Sequence, residues 1–501
     1  MSVSKKYTVL TPDEAAELIQ NGSTIGFSGF TAAGSAKVVP RALAKKAKTL
    51  HSQNKEFKVR VLAGASTSSS LDGALAEADA VSLRLGYQST KAMRDKINNE
   101  SIDFIDIHLS HIQQQVKSGA LGKVDFAVIE ATDITDDGKV YFSTSIGASP
   151  TYLECADKII IELNKFHSPR LREMADIITV PSPPYRKSLQ IHNPLDKIGK
   201  PYTPINPKKV VGIVYNDEPD ETSKFAEPNE TCAKISLNVV NFLLNELKAG
   251  HIPKEFLPIQ SGVGNIGNAV MKGIAEHPDI PPFYMYTEVF QDSLVEQLEK
   301  DNLLGASTSA LTISSDNLKK IYSNMDFFAP RLVLRPQEIS NNPIIARRLG
   351  LIAINTALEA DIYGNINSTH VCGTKVMNGI GGSGDFERNA YISIFVCPSI
   401  AKNGKISTIV PMCTHIDSSE HSVQILITEQ GTADLRGLPP HQRASLIIKN
   451  CVHPAYRDYM YNYLASSPKG HIRHNLATCF ELHRNLMKHG AMLPDIKKIL
   501  Q

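Results

Sequence analysis

Tryptophan is absent from this chain, and neither sign of charge is in real excess: 53 Lys and Arg face 51 Asp and Glu, a formal net charge of +2. So small an imbalance provides no global field for nucleic acid or an anionic membrane surface. No apolar stretch approaches the ~20 residues needed to span a bilayer. The seven cysteines (155, 232, 372, 397, 413, 451 and 479) include no Cys-x-x-Cys. An odd, scattered set matches reduced intracellular thiols, not a disulfide framework or a zinc ribbon. Low-complexity tracts are missing too. The first ten residues carry two lysines but no apolar h-region and no small-residue cleavage site. A cytoplasmic location is therefore expected, or a mitochondrial one if a presequence was removed.

What is present suffices for several cores. A chain of 501 residues, 42% hydrophobic and 21% charged, implies about two to four globular domains. Thr11-Pro12-Asp13-Glu14 is a capping box with proline at the first helical position, and Gly22 closes a helix over 15–20. Strands are expected at 23–29, 58–62, 125–130 and 158–163, separated by helical patterns, which predicts α/β layers with mostly parallel sheets. Seven prolines between 181 and 207 preclude a regular helix there. That stretch reads as an extended crossover with Ile191, Leu195 and Ile198 to bury. A strand at 210–214 and a long helix over 231–247 follow. Gly-Ala-Ser-Thr occurs at 64–67 and again at 305–308, a weak hint of duplication.

Two features carry chemistry. In the turn Ser261-Gly-Val-Gly-Asn-Ile-Gly-Asn268, glycines 262, 264 and 267 satisfy G-x-G-x-x-G, and Glu288 follows at about the spacing of a dinucleotide fingerprint. On that reading the strand 258–260 leads under a pyrophosphate to a helix over 268–276, and Glu288 bonds a ribose hydroxyl. Alternatively the glycines only permit a tight turn, or they hold another anion or acyl ligand. Glu288 ends an apolar run and precedes a helix over 293–300, a position where α/β folds place chemistry. A carboxylate there is also a candidate covalent nucleophile. The second loop, Gly379-Ile-Gly-Gly-Ser-Gly-Asp385, is dense enough in glycine to form a backbone anion nest.

Other constellations are weaker. His415, Asp417 and His421 have neither helix-borne nor zinc-ribbon spacing and read as a polar loop, so no metal is expected. No G-x-S-x-G nucleophile elbow occurs. The basic clusters lack interleaved aromatics, so no nucleic-acid partner is expected.

Ser261–Val270 as SGVGNIGNAV, 286–292 as YTEVFQD, 359–365 as EADIYGN, 377–386 as MNGIGGSGDF and 427–438 as ITEQGTADLRGL resemble the acetyl-CoA hydrolase/transferase branch of the class I coenzyme A transferases. The succinyl-CoA:acetate CoA-transferases are the nearest likeness. Residues 26–34 and 64–73 are similar to that family too, so the resemblance spans nearly the whole chain. It implies two similar open α/β domains with the active site between them. Residues 1–225, including the crossover 181–207, form the carboxylate side; 226–501 carry the catalytic glutamate and the coenzyme A site.

The resemblance makes Glu288 the nucleophile and the amides of Val263 and Gly382 the oxyanion hole. Glu429 and Asn341 border the site. Gln260, Ser261, Gly262, Gly264, Asn378, Gly382 and Lys402 are assigned to coenzyme A. Gly267 falls where relatives often have alanine and is expected to matter least among the turn glycines. Coenzyme A is then a substrate, with no permanently bound cofactor. Small carboxylates are the other partners, no membrane is involved, and a homodimer is implied. Acetyl-CoA hydrolysis on the same scaffold is the alternative activity, and a non-catalytic metabolite-binding protein a more distant one. Taken as residues alone, Lys402 is equally a solvated turn lysine, Glu429 a partner of Asp434 or Arg436, and Asn341 a helix cap.

Overall fold

The structure is a computed structural model describing residues 6–222 and 229–496. They form two compact units. One joins 6–222 with Tyr284–Glu299 and Leu304–Leu349; the other comprises 229–283, Lys300–Leu303 and 350–496. The expected boundary at 225/226 lies outside the described residues. The second half is also not one contiguous domain, because two of its segments, one carrying Glu288, pack within the first unit. Backbone pairing is the cause. Leu311 N–H donates to Thr144 O at 2.8 Å, Ile146 N–H to Ser309 O at 3.0 Å and Gln337 N–H to Gly147 O at 3.0 Å.

In the first unit, β1 (Thr24–Phe27), β2 (Val59–Leu62), β3 (Val81–Leu85), β4 (Asp103–Ile105) and β5 (Phe126–Ile134) lie in the order β4-β3-β2-β1-β5, all neighbours parallel. β5 then meets antiparallel β6 (Lys139–Phe142) at its C-terminal end and parallel β7 (Lys158–Asn164) along the rest. The short β8 (Thr203–Pro204) extends β6, and β9 (Val210–Asn216) extends β7. The strands expected at 23–29, 58–62, 125–130, 158–163 and 210–214 are thus β1, β2, β5, β7 and β9. Their continuous apolar runs are those of a sheet covered on both faces.

The first helix starts where its capping box says: Thr11 N–H donates to Glu14 Oε2 at 2.7 Å, and Glu14 N–H to Thr11 Oγ1 at 3.2 Å. It spans Pro12–Glu17 and not 15–20. Leu18 and Ile19 bond three residues back, which tightens and ends the last turn. The proline-rich crossover contains no α-helix, and only its last residue, Pro207, enters a short 3-10 turn, Pro207–Lys209. Ile191 is buried and Leu195 half-buried, but Ile198 is 40% exposed, contrary to expectation. The backbone is what anchors it, through Ile198 N–H to Asp176 Oδ1 at 2.9 Å and Ile177 N–H to Lys200 O at 2.8 Å.

The second unit opens with the helix Glu230–Ala249, capped by Asn229, which accepts Cys232 N–H, and closed by Gly250 at φ +75°. Ile235, Val239, Phe242, Leu243 and Glu246 recur at helical spacing on its buried face. Four parallel strands follow in spatial order: Ile259–Ser261, Ile352–Thr356, Ile392–Val396 and Ile425–Thr428, with antiparallel Gly431–Asp434 at the edge. Helices Pro440–Asn450 and Pro454–Ser466 supply Ile447, Ile448, Tyr456 and Met460 to the core with Leu426. Gly-Ala-Ser-Thr is no structural repeat: 64–67 is the loop after β2, whereas 305–308 lies inside the strand Leu303–Thr308. Among the described residues, no helix is long and apolar enough to cross a membrane.

Candidate active site

Glu288 stands at a break in a strand. The chain runs Phe283–Tyr286, steps at Thr287 and Glu288, and resumes as Val289–Gln291. Its companion breaks in step, between Leu303–Thr308 and Ala310–Thr312, with Val289 opposite Ala310 and Phe290 opposite Leu311. The Glu288 carbonyl accepts Ser309 N–H at 3.0 Å, Ala310 N–H at 3.2 Å and Thr308 Oγ1–H at 2.9 Å. The main chain is pinned while the side chain, half-buried, projects from the interrupted ladder.

Asn341 reaches that side chain. Its Nδ2 donates to Glu288 Oε2 at 2.9 Å, and its Oδ1 accepts Ser340 Oγ–H at 2.8 Å, which fixes which end of the amide faces the carboxylate. The helix-capping role falls instead to Asn342, whose Oδ1 accepts Ile344 N–H at 3.0 Å at the start of Pro343–Leu349. Asp292, the end of the same motif, is structural. Its Oδ1 accepts Ser314 N–H at 2.8 Å and Asn317 Nδ2–H at 2.6 Å.

The other sequence-assigned residues belong to the second unit. Its four strands are parallel, so their carboxyl ends share one edge. The loop Gly262–Gly264 leaves that edge and enters the helix Asn265–Glu276. Gln260 and Ser261 lie below it, inside the sheet. Gln260 exchanges amide hydrogen bonds with Asn355 at 3.3 and 3.1 Å and is 1% exposed, so its side chain is committed to the core.

The glycine requirements also differ from expectation. Gly264 needs its φ of +121°, but Gly262 has room for a side chain: a Cβ there meets nothing nearer than Asn355 Oδ1, at 3.6 Å. Gly267, expected to matter least, is the tightest of the three, because a Cβ would stand 2.3 Å from the Gly262 carbonyl oxygen. In the second loop the positive φ belongs to Gly381, at +57°, while Gly382 has φ −97° and caps Ser383–Glu387. The amides of Val263 and Gly382 donate to no other group among the described residues, and Asn378 Oδ1 has no partner there either.

Glu429 follows the strand Ile425–Thr428 at the same edge. It accepts Ser399 N–H at 2.8 Å and Gln430 Nε2–H at 3.0 Å, with a further bond from Ser399 Oγ. Burial pushes its carboxyl up, but the Ser399 and Gln430 bonds outweigh that and hold it below the usual carboxylate range. Arg436 is not its partner; the guanidinium pairs with Asp434 and Glu246. Lys402 is exposed on the turn between Ile400–Ala401 and Ile406–Ser407. His415 pairs with Asp417 at 3.1 Å and lies against the His370 ring at a 43° tilt, while His421 bonds Ser419 instead.

Sequence reasoning missed a buried charge cluster in the first unit. Lys37 Nζ donates to Glu130 Oε2 at 2.6 Å and Asp220 Oδ1 at 3.2 Å, and His167 Nε2 lies 3.4 and 3.5 Å from the same two side chains. Burial pulls the imidazole down, but Asp220 and Glu130 raise it to about 9. Glu130, His167 and Asp220 are a donor set that suits a metal. The Lys37 ammonium already sits against two of the three, and a second cation would be repelled. Lys37 and Asp220 are 183 residues apart, so no local pattern announces the cluster.

Comparison with known proteins supplies the wider setting. The acetyl-CoA hydrolase/transferase N-terminal domain model matches residues 1–215, and the C-terminal domain model matches 318–464. The chain is 55% identical over 488 residues to a propanoyl-CoA:succinate CoA transferase of Escherichia coli, covering 97% of this chain and 99% of that protein. It is 46% identical to a succinyl-CoA:acetate CoA-transferase of Clostridium kluyveri, covering 97% and 90%. The crystal structure of RipA from Yersinia pestis superposes with a TM-score of 0.68 at 20% identity, covering 91% of this chain and 96% of that one, a likeness of fold.

Proposed function

The chain belongs to the acetyl-CoA hydrolase/transferase family and is an enzyme, and from that premise we propose that it moves coenzyme A between an acyl-CoA and a small carboxylate through a covalent glutamate, Glu288. Succinyl-CoA and acetate are the proposed pair, after the relatives' substrates. The observation that carries the reading is the Asn341 amide at 2.9 Å from a carboxylate whose backbone is pinned at a strand break.

The Glu288 carboxylate attacks the thioester carbonyl, the C–S bond breaks, and coenzyme A leaves as thiolate with the electron pair. The thiolate then attacks the side-chain carbonyl of the resulting acyl-glutamyl anhydride. This releases the first carboxylate and leaves a glutamyl–CoA thioester. A second carboxylate attacks that thioester to form a new anhydride and thiolate. The thiolate takes the acyl group, and Glu288 is regenerated.

Each addition passes through an oxyanion. Asn341 Nδ2 is placed to donate where charge develops on the glutamyl oxygen, and we assign the amides of Val263 and Gly382 to the substrate oxyanion. Losing one such donor typically costs ~100–1000-fold in rate. Gly262, Gly264, Asn378 and Lys402 are proposed contacts of coenzyme A, and Glu429, held ionised, borders the thioester. Water entering the anhydride state would turn transfer into acetyl-CoA hydrolysis, the second activity in the family's description. The proposed assembly is a homodimer and the proposed compartment the cytoplasm.

The test is acyl exchange between acetyl-CoA and labelled acetate or succinate. Carboxylate-stimulated exchange well above thioester loss supports transfer, and Glu288→Ala should abolish it. Exchange at an undiminished rate in that variant would rule the mechanism out.

A further inference from the structure

Three side chains of the first unit are buried to within 1% yet keep polar atoms unpartnered among the described residues: both amide atoms of Gln88, the Ser68 hydroxyl and Gln337 Oε1. Unpaired buried polar groups destabilise a fold, and several at one place mark where a polar ligand is received.

The topology gathers them. Ser68 is in the loop that leaves β2 and Gln88 in the loop that leaves β3; the two strands are parallel neighbours, so both loops rise at one sheet edge. A Cβ on Gly86 would stand 3.2 Å from the Gly64 carbonyl oxygen, and one on Gly64 would stand 2.4 Å from Gln337 Oε1. Gln88 follows Gly86 by two residues, within about 7 Å even along an extended chain. The Phe30 ring closes one side, 3.2 Å from the Cβ position of Gly64 and 3.5 Å from that of Gly147.

Gln337 ties this corner to the nucleophile. The Asn341 N–H donates to Gln337 O at 2.8 Å, so the two side chains leave one helix face a turn apart, about 6 Å along the axis. Gln337 Nε2 donates to Leu109 O at 2.8 Å, which leaves Oε1 as the end beside Gly64. Acyl length therefore decides what reaches the corner. Beyond the carbonyl that joins Glu288, an acetyl group extends about 1.5 Å, whereas the second carboxyl carbon of a succinyl group lies three bonds out, about 3.8 Å. The buried cations nearby are committed elsewhere: Arg84 to Asp72 and Ala65 O, Lys37 to Glu130 and Asp220.

We infer that Gln88, with Ser68, reads the far carboxylate of a four-carbon diacyl group carried on Glu288, and so sets the preference of the site for succinyl over shorter monoacyl groups. The inference rests on the transferase reading above. Gln88 has two N–H donors and Ser68 one O–H, enough to meet both oxygens of a carboxylate without an ion pair. Acetyl and propionyl groups offer nothing to these donors.

The test uses the full-length protein with acetyl-CoA as donor, and compares kcat/KM for succinate and for propionate in wild type and Gln88→Leu. The succinate-to-propionate ratio is expected to fall by at least about tenfold, the scale of losing hydrogen bonds to a charged group. A ratio unchanged within about twofold overturns the assignment. A readout independent of turnover is thermal protection. Succinate should raise the melting temperature of the wild type more than propionate does, and this difference should vanish in Gln88→Leu. No such difference in the wild type also overturns it. Failure of transfer to every carboxylate would instead sink the transferase reading, with thermal protection still judging Gln88 on its own.

Discussion

Replacing Asn341 with alanine removes one hydrogen bond of 2.9 Å from an amide to the Glu288 carboxylate, and the consequence can be worked out. A hydrogen bond to a charged group contributes about 1.5–3 kcal/mol, and at about 1.4 kcal/mol per decade its loss is worth roughly ten- to hundredfold. The same amide facing a developing oxyanion carries ~100–1000-fold. The two estimates meet near a hundredfold loss of kcat. KM for acyl-CoA should move by less than about threefold, because the amide faces the nucleophile and not a nucleotide site. Ser340 Oγ loses its shorter bond but keeps the Gln337 carbonyl at 3.3 Å as acceptor, so the stability cost is at most about 1 kcal/mol and leaves the protein folded. Initial rates over a substrate series separate the two constants. Asn341→Asp sharpens the test: a second carboxylate beside Glu288 raises the pKa of the pair. The acid limb of the rate profile should then move to higher pH. A kcat within about threefold of wild type for Asn341→Ala, or a loss confined to KM, would refute the reasoning.

Three further outcomes are expected. His167 is raised to about 9 from its ordinary value near 6.5, so its contribution to stability is complete below about pH 6.5 and is lost as pH rises through about 9. At full size it is on the order of 3 kcal/mol, measured by denaturant unfolding across that window, and His167→Gln should flatten the decline. Gly267→Ala forces the Gly262 carbonyl to move and should raise KM for acyl-CoA several-fold, with about 1–3 kcal/mol of stability lost; unaltered kinetics and stability would show that the contact relaxes freely. Leu243→Ala in the long helix of the second unit should cost about 2–5 kcal/mol in unfolding experiments, as a fully buried side chain does.

The parts legible in the sequence are those with local causes. The capping box at Thr11, five of the nine strands of the first sheet and the helix after Asn229 are each announced by residues within a few positions. Glu288 was visible because an apolar run ended on a carboxylate and several motifs stood in order around it. Other features depend on contacts distant along the chain. The membership of 284–299 and 304–349 in the first unit follows from pairing with residues 144–147. The Lys37 cluster draws on four segments. Gly267 looked dispensable because its constraint is steric, set by a carbonyl oxygen five residues earlier that only the folded turn brings to 2.3 Å. The resemblance assigns Gln260 to coenzyme A along with the turn that follows it, whereas in the sheet its side chain exchanges hydrogen bonds with Asn355 on the neighbouring strand.

The most direct test is the mass of Glu288 itself. Incubation with acyl-CoA followed by borohydride or hydroxylamine trapping should mark the peptide containing Glu288 with the modification of a glutamyl thioester or anhydride. The mark should be absent in Glu288→Ala and discharged by added carboxylate before trapping. An unmodified Glu288 in protein that is actively exchanging acyl groups would contradict covalent catalysis by this residue.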